Sequence, residues 1–154
     1  FRNYEMSEFM NSKWVGDIAA MHTKFGVNKV LRQLDRDKLE AFLKFRIDFL
    51  QEELDEMRKA VVDRQAGKID ASTAADDTVD ALIDLCVVAI GTLNAFDVNA
   101  DEAWNRVHRA NMSKKVGIKE SRPNPLGLPD LIKPEGWTAP THADNVGMLN
   151  KVFE

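Results

Sequence analysis

Residues 39–64 read LEAFLKFRIDFLQEELDEMRKAVVDR, and this stretch decides the fold. Its apolar residues recur with the spacing of one face of an α-helix. They are Leu39, Phe42, Leu43, Leu50, Leu54, Met57 and Val61. The pattern predicts a helix that starts near Asp35 to Lys38 and runs to about Arg64. A turn at Gly67 follows it.

A shorter helix is predicted before this long one. It covers Ser12–Lys24 and ends before Gly26, because glycine readily takes the left-handed conformation that closes a helix. Its packing face would use Trp14, Ile18 and Met21, which are spaced by about one helical turn.

Two more helices are predicted after the turn. The first begins at a cap formed by Ser72 or Thr73 and continues to about Ala95. The second has Asn99 as its cap and continues to about Lys115. No segment alternates like a strand. We therefore predict an all-α fold, a helical bundle whose two long central helices pack antiparallel through a short connection.

The C-terminal part of the chain has a different composition. All five prolines lie between Pro123 and Pro140, and glycines interrupt the same region. This change predicts an α-helical domain over residues 1–116 and an irregular, extended tail over residues 117–154. The tail would pack on the same domain or on a neighbouring subunit.

Composition argues against several classes of protein. The net charge is −4 and the pI is about 5.4, with lysines and arginines scattered along the chain, so nucleic acid is not an expected partner. The single cysteine, Cys86, lies in an apolar run and suits a buried thiol in a reducing cytoplasm. That run, Ala81–Ile90, is too short to span a membrane and contains Asp84, so no membrane insertion is expected.

Several acids occupy positions where apolar residues are expected. Glu53 falls inside the apolar stripe of the long helix, and Glu52 and Glu56 lie within one turn of it. On the next helix, Asp80 and Asp84 lie on one edge together with Asp77. The run around Asp84 is otherwise apolar, which is typical of a helix buried on nearly all sides.

Burying several ionised carboxylates together costs several kcal/mol unless something neutralises them. The sequence offers Arg46, two turns before Glu53, but one arginine cannot balance four or five acids. A cluster of oxygen donors without histidine or cysteine suits Mg²⁺ or Mn²⁺. The alternative is a solvated helix face with incidental spacing, which stays open above all for Glu52, Asp55 and Asp76.

The sequence Glu52-Glu53-Leu54-Asp55-Glu56, followed at a distance by Asp80 to Asp84, resembles the EExxE and ExxD motifs of the all-α nucleoside triphosphate pyrophosphohydrolases, the superfamily of MazG, HisE and the dimeric dUTPases. The second motif departs from the pattern, because Ala81 stands where its glutamate would be. Either Asp80 replaces that glutamate, or the pair is Asp77 and Asp80. We favour Asp80 and Asp84, since the following LCVVAIG is similar to the apolar segment behind the family's last ligand.

The resemblance extends through two further segments. VHRANMSK, residues 107–114, is similar to a motif of small MazG-like and HisE-like enzymes, many of them encoded by bacteriophages. KPEGW, residues 133–137, is similar to the C-terminal region of that group. The likeness covers roughly Lys38 to Pro140.

The resemblance implies Mg²⁺-dependent hydrolysis of a (deoxy)nucleoside triphosphate to a nucleoside monophosphate and pyrophosphate, in the cytoplasm of a bacterium or a phage-infected host cell. The implied metal ligands are Glu53, Glu56, Asp80 and Asp84. Glu52 is the candidate general base, with Glu53 counted beside it as catalytic.

Substrate contacts are expected on the fourth helix and at three aromatic residues. Asn111 and Lys114 would bind phosphate, with Arg109 and Lys115 as supplements. The lysines could instead merely complement the helix dipole. Candidates for contacting the base are His22, Phe25 and Trp137, although a lone aromatic residue is more often part of a core.

Two other functions stay open at this point. The nearest enzymatic alternative is phosphoribosyl-ATP pyrophosphohydrolase, the HisE activity, which would use the same site. A second alternative is a non-catalytic helical interaction module that a metal stabilises. For the nucleoside triphosphate pyrophosphohydrolase we expect a homodimer or homotetramer, because helices this apolar present more surface than one short bundle can cover.

Overall fold

A computed structural model describes residues 12–122 and 124–154, and within them it contains six α-helices and two β-strands. In chain order these are α1 (Lys13–Phe25), α2 (Val27–Leu31), α3 (Arg36–Gln65), α4 (Ala71–Ala95), α5 (Ala100–Met112), β1 (Lys115–Gly117), β2 (Asp130–Ile132) and α6 (Leu149–Phe153). The mostly helical content, with two long central helices, confirms the predicted all-α class.

The chain divides into two compact units. Unit 1 comprises the described residues up to Ala100 together with Val146–Glu154, and unit 2 comprises Asp101–Asn145. Unit 1 therefore contains α1 to α4 and α6, while unit 2 contains nearly all of α5 and both strands. The predicted border between a helical domain and a tail after residue 116 stays a prediction.

The helices α3 and α4 form an antiparallel hairpin in unit 1. Gly67, with φ 70°, makes the turn that the sequence predicts. Contacts across the pair run in opposite orders along the two helices: the Phe42 ring lies 5.7 Å from that of Phe96, at the far end of α4, whereas Arg46 bonds to Val88 and Thr92. The start of α3 therefore lies against the end of α4, and residues later in α3 lie against residues earlier in α4.

Both long helices begin at an aspartate cap. The Asp35 carboxylate accepts a hydrogen bond of 3.0 Å from the Lys38 amide, as the predicted start near Asp35 requires. At α4 the prediction of Ser72 or Thr73 as cap is wrong, because Asp70 takes this role and accepts 2.7 Å from the Thr73 amide. A carboxylate is the stronger acceptor at a helix N-terminus, since it also carries the charge that the dipole favours.

The first predicted helix is confirmed within one residue at each end. Gly26 closes it in the left-handed conformation, with φ 71° and ψ 19°. Its expected packing face is only partly correct, because Ile18 is buried while Trp14 and Met21 are exposed. The short helix α2 directly after Gly26 was not predicted.

The core of unit 1 lies at the open end of the α3–α4 hairpin. It contains Leu31, Leu39, Ala95, Phe96, Val98, Met148 and Val152. Two of these residues come from the last nine of the chain, where the Met148 amide donates 2.7 Å to the Phe96 carbonyl. Gly147 makes this approach possible: its φ is 53°, and a Cβ atom there would lie 2.0 Å from the Phe96 carbonyl oxygen.

Unit 2 corrects the expectation that no strand is present. The strands β1 and β2 pair antiparallel, with Lys115 opposite Ile132 and Gly117 opposite Asp130. The helix α5 starts directly after Asn99, as predicted. It ends at Met112 rather than near Lys115, because Lys115 already belongs to β1. Strands of three residues are too short to show an alternating pattern in the sequence.

The helix α4 is less covered than its apolar sequence suggests. The prediction of burial on nearly all sides is wrong for the single chain, where Val79, Leu82 and Ile83 are between 44% and 61% exposed. By length and composition alone α4 is also the one helix among the described residues that could cross a membrane. The same features mark a core helix of a soluble protein, and α4 packs on α3 through its partly buried Asp84 edge.

Candidate active site

The site is built on the middle of the α3–α4 hairpin. Glu53 is only 9% exposed, although neighbouring positions Glu52 and Glu56 on α3 are exposed. It is buried because its helical position falls in the stripe that packs on α4, as the sequence predicts. Across from it, α4 contributes Asp84, which is partly buried, and Asp80, which is exposed.

No residue that the structure describes offsets the charge of Glu53. Its Oε2 atom is buried and has no hydrogen-bond partner among the described residues. Burial is the largest cause of a raised pKa at this carboxyl. The negative charges of other acids raise that pKa further; in decreasing order of effect they are Asp84, Glu56, Asp80 and Glu52. The structure thus brings these five acids into one electrostatic neighbourhood.

Arg46 does not neutralise this group. Its Nε atom donates 3.0 Å to the Thr92 hydroxyl, and one of its terminal nitrogens donates 3.1 Å to the Val88 carbonyl. Its guanidinium also lies over the Phe42 and Phe49 rings, at 5.8 and 5.9 Å from their centroids. These bonds direct the cation toward Val88 and Thr92, and among the described residues no cation acts on the pKa of Glu53.

The donor set fits a hard divalent cation by its chemistry. All five groups are carboxylates, and the unpartnered Glu53 oxygen is a buried polar atom that a cation would satisfy. Within residues 12–122 and 124–154 no three acidic, histidine or cysteine side chains are gathered closely enough to hold an ion in this conformation. The exposed side chains of Glu56 and Asp80 would therefore have to rotate inward around Glu53.

Asp77 lies in a neighbouring cleft rather than against Glu53. This cleft of about 300 Å³ is lined by Glu56, Lys59, Ala60, Asp63, Ile69, Asp77 and Asp80. Asp77 acts on the pKa of Lys59, whereas it is not among the acids that raise the pKa of Glu53. The arrangement favours Asp80 and Asp84 over Asp77 and Asp80, although the ligand set stays a prediction.

A second buried carboxylate on α3 was missed by the sequence reasoning. Asp63 is 8% exposed and forms ion pairs with Lys59, one turn earlier, and with Lys68, at 3.6 Å just after the Gly67 turn. The hydrogen bond from Lys59 is the largest cause of a lowered pKa at Asp63. The i to i+4 spacing of Lys59 and Asp63 is a signal that could have identified this pair.

The predicted phosphate contacts lie together in unit 2. The Lys114 ammonium donates 2.9 Å to the Asn111 side-chain oxygen, so these two residues share one face at the end of α5. Arg109 is exposed and lines an open groove of about 890 Å³ between α5 and residues 134–144, and Lys115 begins β1. Their role with phosphate stays a prediction.

The three residues predicted to contact the base have different surroundings. His22 is buried in unit 1, where its Nδ1 lies 2.9 Å from the Asn94 side-chain oxygen, and burial is the main cause of its lowered pKa. Phe25 is 69% exposed. Trp137 lies in unit 2 and donates its indole N–H to the Ala110 carbonyl at 2.9 Å. Their contact with a base stays a prediction.

Comparison with protein families matches residues 30–111, just over half of the 154 residues, to the family described as phosphoribosyl-ATP pyrophosphohydrolase. This span contains α3, α4 and nearly all of α5, and hence all five acids. Comparison with curated proteins gives no match. The family lies in the all-α MazG-like and HisE-like superfamily, which confirms the resemblance inferred from the motifs, and it is typically soluble and cytoplasmic. The chain therefore belongs to the phosphoribosyl-ATP pyrophosphohydrolase family, whose activity is pyrophosphohydrolysis of a nucleotide.

Proposed function

We propose that this protein is a Mg²⁺-dependent enzyme that hydrolyses a (deoxy)nucleoside triphosphate to a nucleoside monophosphate and pyrophosphate. One observation carries the proposal: Glu53 is buried in the hairpin with an unpartnered carboxylate oxygen, and acids on both helices surround it. An arrangement of this kind is unfavourable for folding, and it becomes favourable when a cation binds between the carboxylates.

Glu53, Glu56, Asp80 and Asp84 would hold the ion, and Mn²⁺ could replace Mg²⁺ at the same oxygen donors. When bound, the ion would supply positive charge that offsets the negative charge developing during hydrolysis. The burial of Glu53 strengthens its interaction with any cation, because fewer water molecules compete for its oxygens.

The remaining steps belong to side chains of the protein. Glu52 is exposed beside the acid group, and its carboxylate would take a proton from the water that attacks the α-phosphorus. A bond from that water to phosphorus forms, and the bond from phosphorus to the oxygen of the leaving pyrophosphate breaks. Asn111, Lys114 and Arg109 would bind phosphate oxygens through directional amide bonds and positive charge.

Phosphoribosyl-ATP is the second candidate substrate, favoured by the family match. It would be hydrolysed by the same carboxylates. We propose that the enzyme acts in the cytoplasm of a bacterium or of a cell infected by a phage.

The experiment is pyrophosphate release from a panel of ribo- and deoxyribonucleoside triphosphates and phosphoribosyl-ATP, with Mg²⁺, Mn²⁺ or EDTA. Glu53→Gln should abolish release while circular dichroism shows the helices intact. Glu40→Gln is the matched control, since Glu40 is an exposed acid on the same helix. Cation-dependent melting without turnover of any nucleotide would replace the enzyme with a metal-stabilised interaction module.

We also propose that the enzyme is a homodimer or homotetramer. The exposed apolar residues of α4 include Val79, Leu82 and Ile83, and a second copy of the chain presents the same surface to cover them. Leu82→Glu should shift the mass measured by light scattering to that of one chain. Val30→Glu, on α2, is the control at an equally exposed apolar residue. A single-chain mass for the unmodified protein would overturn this assignment.

A further inference from the structure

Two lysines far apart in the sequence are neighbours at the end of the strand pair in unit 2. Lys115 of β1 pairs with Ile132 of β2 in an antiparallel register. In such a register the residue before Lys115 lies beside the residue after Ile132. These two residues are Lys114 and Lys133.

Both ammonium groups lie over the same aromatic ring. The Lys114 Nζ is 5.4 Å and the Lys133 Nζ is 4.8 Å from the centroid of the Trp137 ring. The ring is held by its indole N–H, which donates 2.9 Å to the Ala110 carbonyl on α5, and the backbone of the same residue is held by the Trp137 amide, which donates 3.0 Å to the Pro134 carbonyl. Trp137 therefore fixes the positions of both lysines relative to α5.

The positive charge at this point is not neutralised. Neither Lys114 nor Lys133 forms an ion pair within the described part of the chain, and the same holds for Arg109 at the end of α5. Other cations of unit 2 are paired: Arg106 binds Glu102 and Asp144, and Arg122 binds Asp130. Two like charges over one ring repel each other, and an anion between them would relieve that repulsion.

We infer that Lys114 and Lys133 form a lysine clamp for the polyphosphate of the substrate, with Trp137 as the positioning residue that holds them. The inference rests on the proposed function and adds Lys133 to its phosphate contacts. A polyphosphate suits the clamp better than a carboxylate does, because it carries several charges along its length and can meet two ammonium groups and Arg109 together. The Trp137 ring then serves the lysines and not the base.

The first test measures the affinity of inorganic pyrophosphate for the unmodified protein in EDTA by calorimetry. Lys133→Met and Lys114→Met should each weaken binding by roughly tenfold. Lys133→Arg should restore most of the affinity, because it returns the charge. Lys29→Met, an exposed lysine on α2, is the control that removes the same charge elsewhere. Equal pyrophosphate affinity in Lys133→Met and the unmodified protein would overturn the clamp.

The second test separates the clamp from the base contact and from the chemistry. Trp137→Leu should lower the affinity for pyrophosphate as Lys133→Met does. Trp137→Phe keeps an aromatic ring and should retain more of that affinity. If Trp137→Leu instead weakens only the free nucleoside, the ring is a base platform and the clamp is wrong. In turnover assays Lys133→Met should raise KM by roughly tenfold and change kcat less.

The two proposals fail in different ways. Glu53→Gln should retain metal-free pyrophosphate binding, because the clamp contains no carboxylate from the hairpin. Absence of turnover with every nucleotide would remove the proposed activity, and the pyrophosphate measurement would still decide whether the clamp exists. Turnover with an unchanged KM in Lys133→Met would remove the clamp and leave the activity standing.

Discussion

Two regions of α3 each bury a carboxylate, and their surroundings are opposite. Glu53, in the middle of the helix, is 9% exposed, and Asp63, near its end, is 8% exposed. Asp63 is paired with Lys59 and Lys68, and its pKa is lowered. Glu53 has an unpartnered oxygen, other acids around it and a raised pKa. One helix thus contains two similarly buried acids, of which Asp63 is paired with lysines and Glu53 lies among other acids.

The difference shows that burial alone does not identify a functional carboxylate. At Asp63 the chain supplies its own cations, so the acid contributes to the folded structure as part of an ion pair. At Glu53 no described residue supplies a counter-charge, and under the proposed function a bound cation would supply it. A missing partner, more than low exposure, is therefore the feature that points to a ligand.

The largest expected effect is on turnover. Glu53→Gln removes a charged oxygen donor and should lower kcat/KM by at least about 100-fold. Asp63→Asn should keep kcat/KM within about fivefold, because its partners are lysines of the protein. Steady-state pyrophosphate release measures both. An equal loss of kcat/KM in the two variants would show that the two carboxylates do not differ in function.

The next effect is on melting in the presence of Mg²⁺. At a free concentration one hundred times Kd, Mg²⁺ should stabilise the protein by about 2.7 kcal/mol. For a chain of this size that corresponds to a rise in Tm of roughly 5–10 °C. Asp63→Asn should keep this rise and Glu53→Gln should lose it, as followed by circular dichroism. A rise that survives in Glu53→Gln would place the ion elsewhere.

A smaller effect concerns stability without metal. Glu53→Met replaces a buried, uncompensated charge with an apolar chain, so it should raise the free energy of unfolding in EDTA by about 1 kcal/mol. Asp63→Met should lower that free energy, since it leaves Lys59 and Lys68 without their shared acid. Urea titrations measure both signs. A destabilising Glu53→Met would mean that the carboxylate has an internal partner after all.

The smallest expected effect is the pH dependence of the stability that Asp63 contributes. Because folding lowers the pKa of this carboxyl below its ordinary 3.8, its stabilising contribution is present above that value. The contribution is lost as pH falls through the lower pKa of the folded state. The difference in Tm between the unmodified protein and Asp63→Asn should therefore shrink between about pH 5 and pH 2. A difference that grows toward acid pH would contradict the assignment.

The helices and the burial of Glu53 could be predicted from the sequence, because helical periodicity is a local property, whereas the burial of Asp63 was not predicted. The spacing of apolar residues fixed α3 and placed Glu53 on its buried face, and the structure agrees with both. The stop at Gly26 and the turn at Gly67 also depend only on neighbouring residues and are confirmed. The family itself was inferred from short motifs whose spacing is likewise local.

Contacts between residues that are distant in the sequence could not be predicted. His22 meets Asn94 across 72 positions, and Lys133 lies beside Lys114 only because two short strands pair. The exposure of Leu82 in the single chain depends on which elements cover α4, and the spacing of apolar residues does not indicate which elements these are. In the sequence Asp63 differs from Glu53 by the lysine four residues before it, whereas its second partner, Lys68, approaches it only because of the turn between them.

The close approach at Gly147 has a consequence for how the molecule is made. Phe96 and Leu39 share one apolar core with Met148 and Val152, which follow much later in the chain. The core at the open end of the hairpin is therefore complete only after residue 152 has been synthesised. Until then the apolar residues of the nascent helices at that end stay exposed to solvent. Cutting the gene down to residues 30–111 would leave that opening permanent, and such a fragment should be insoluble unless a chaperone holds it.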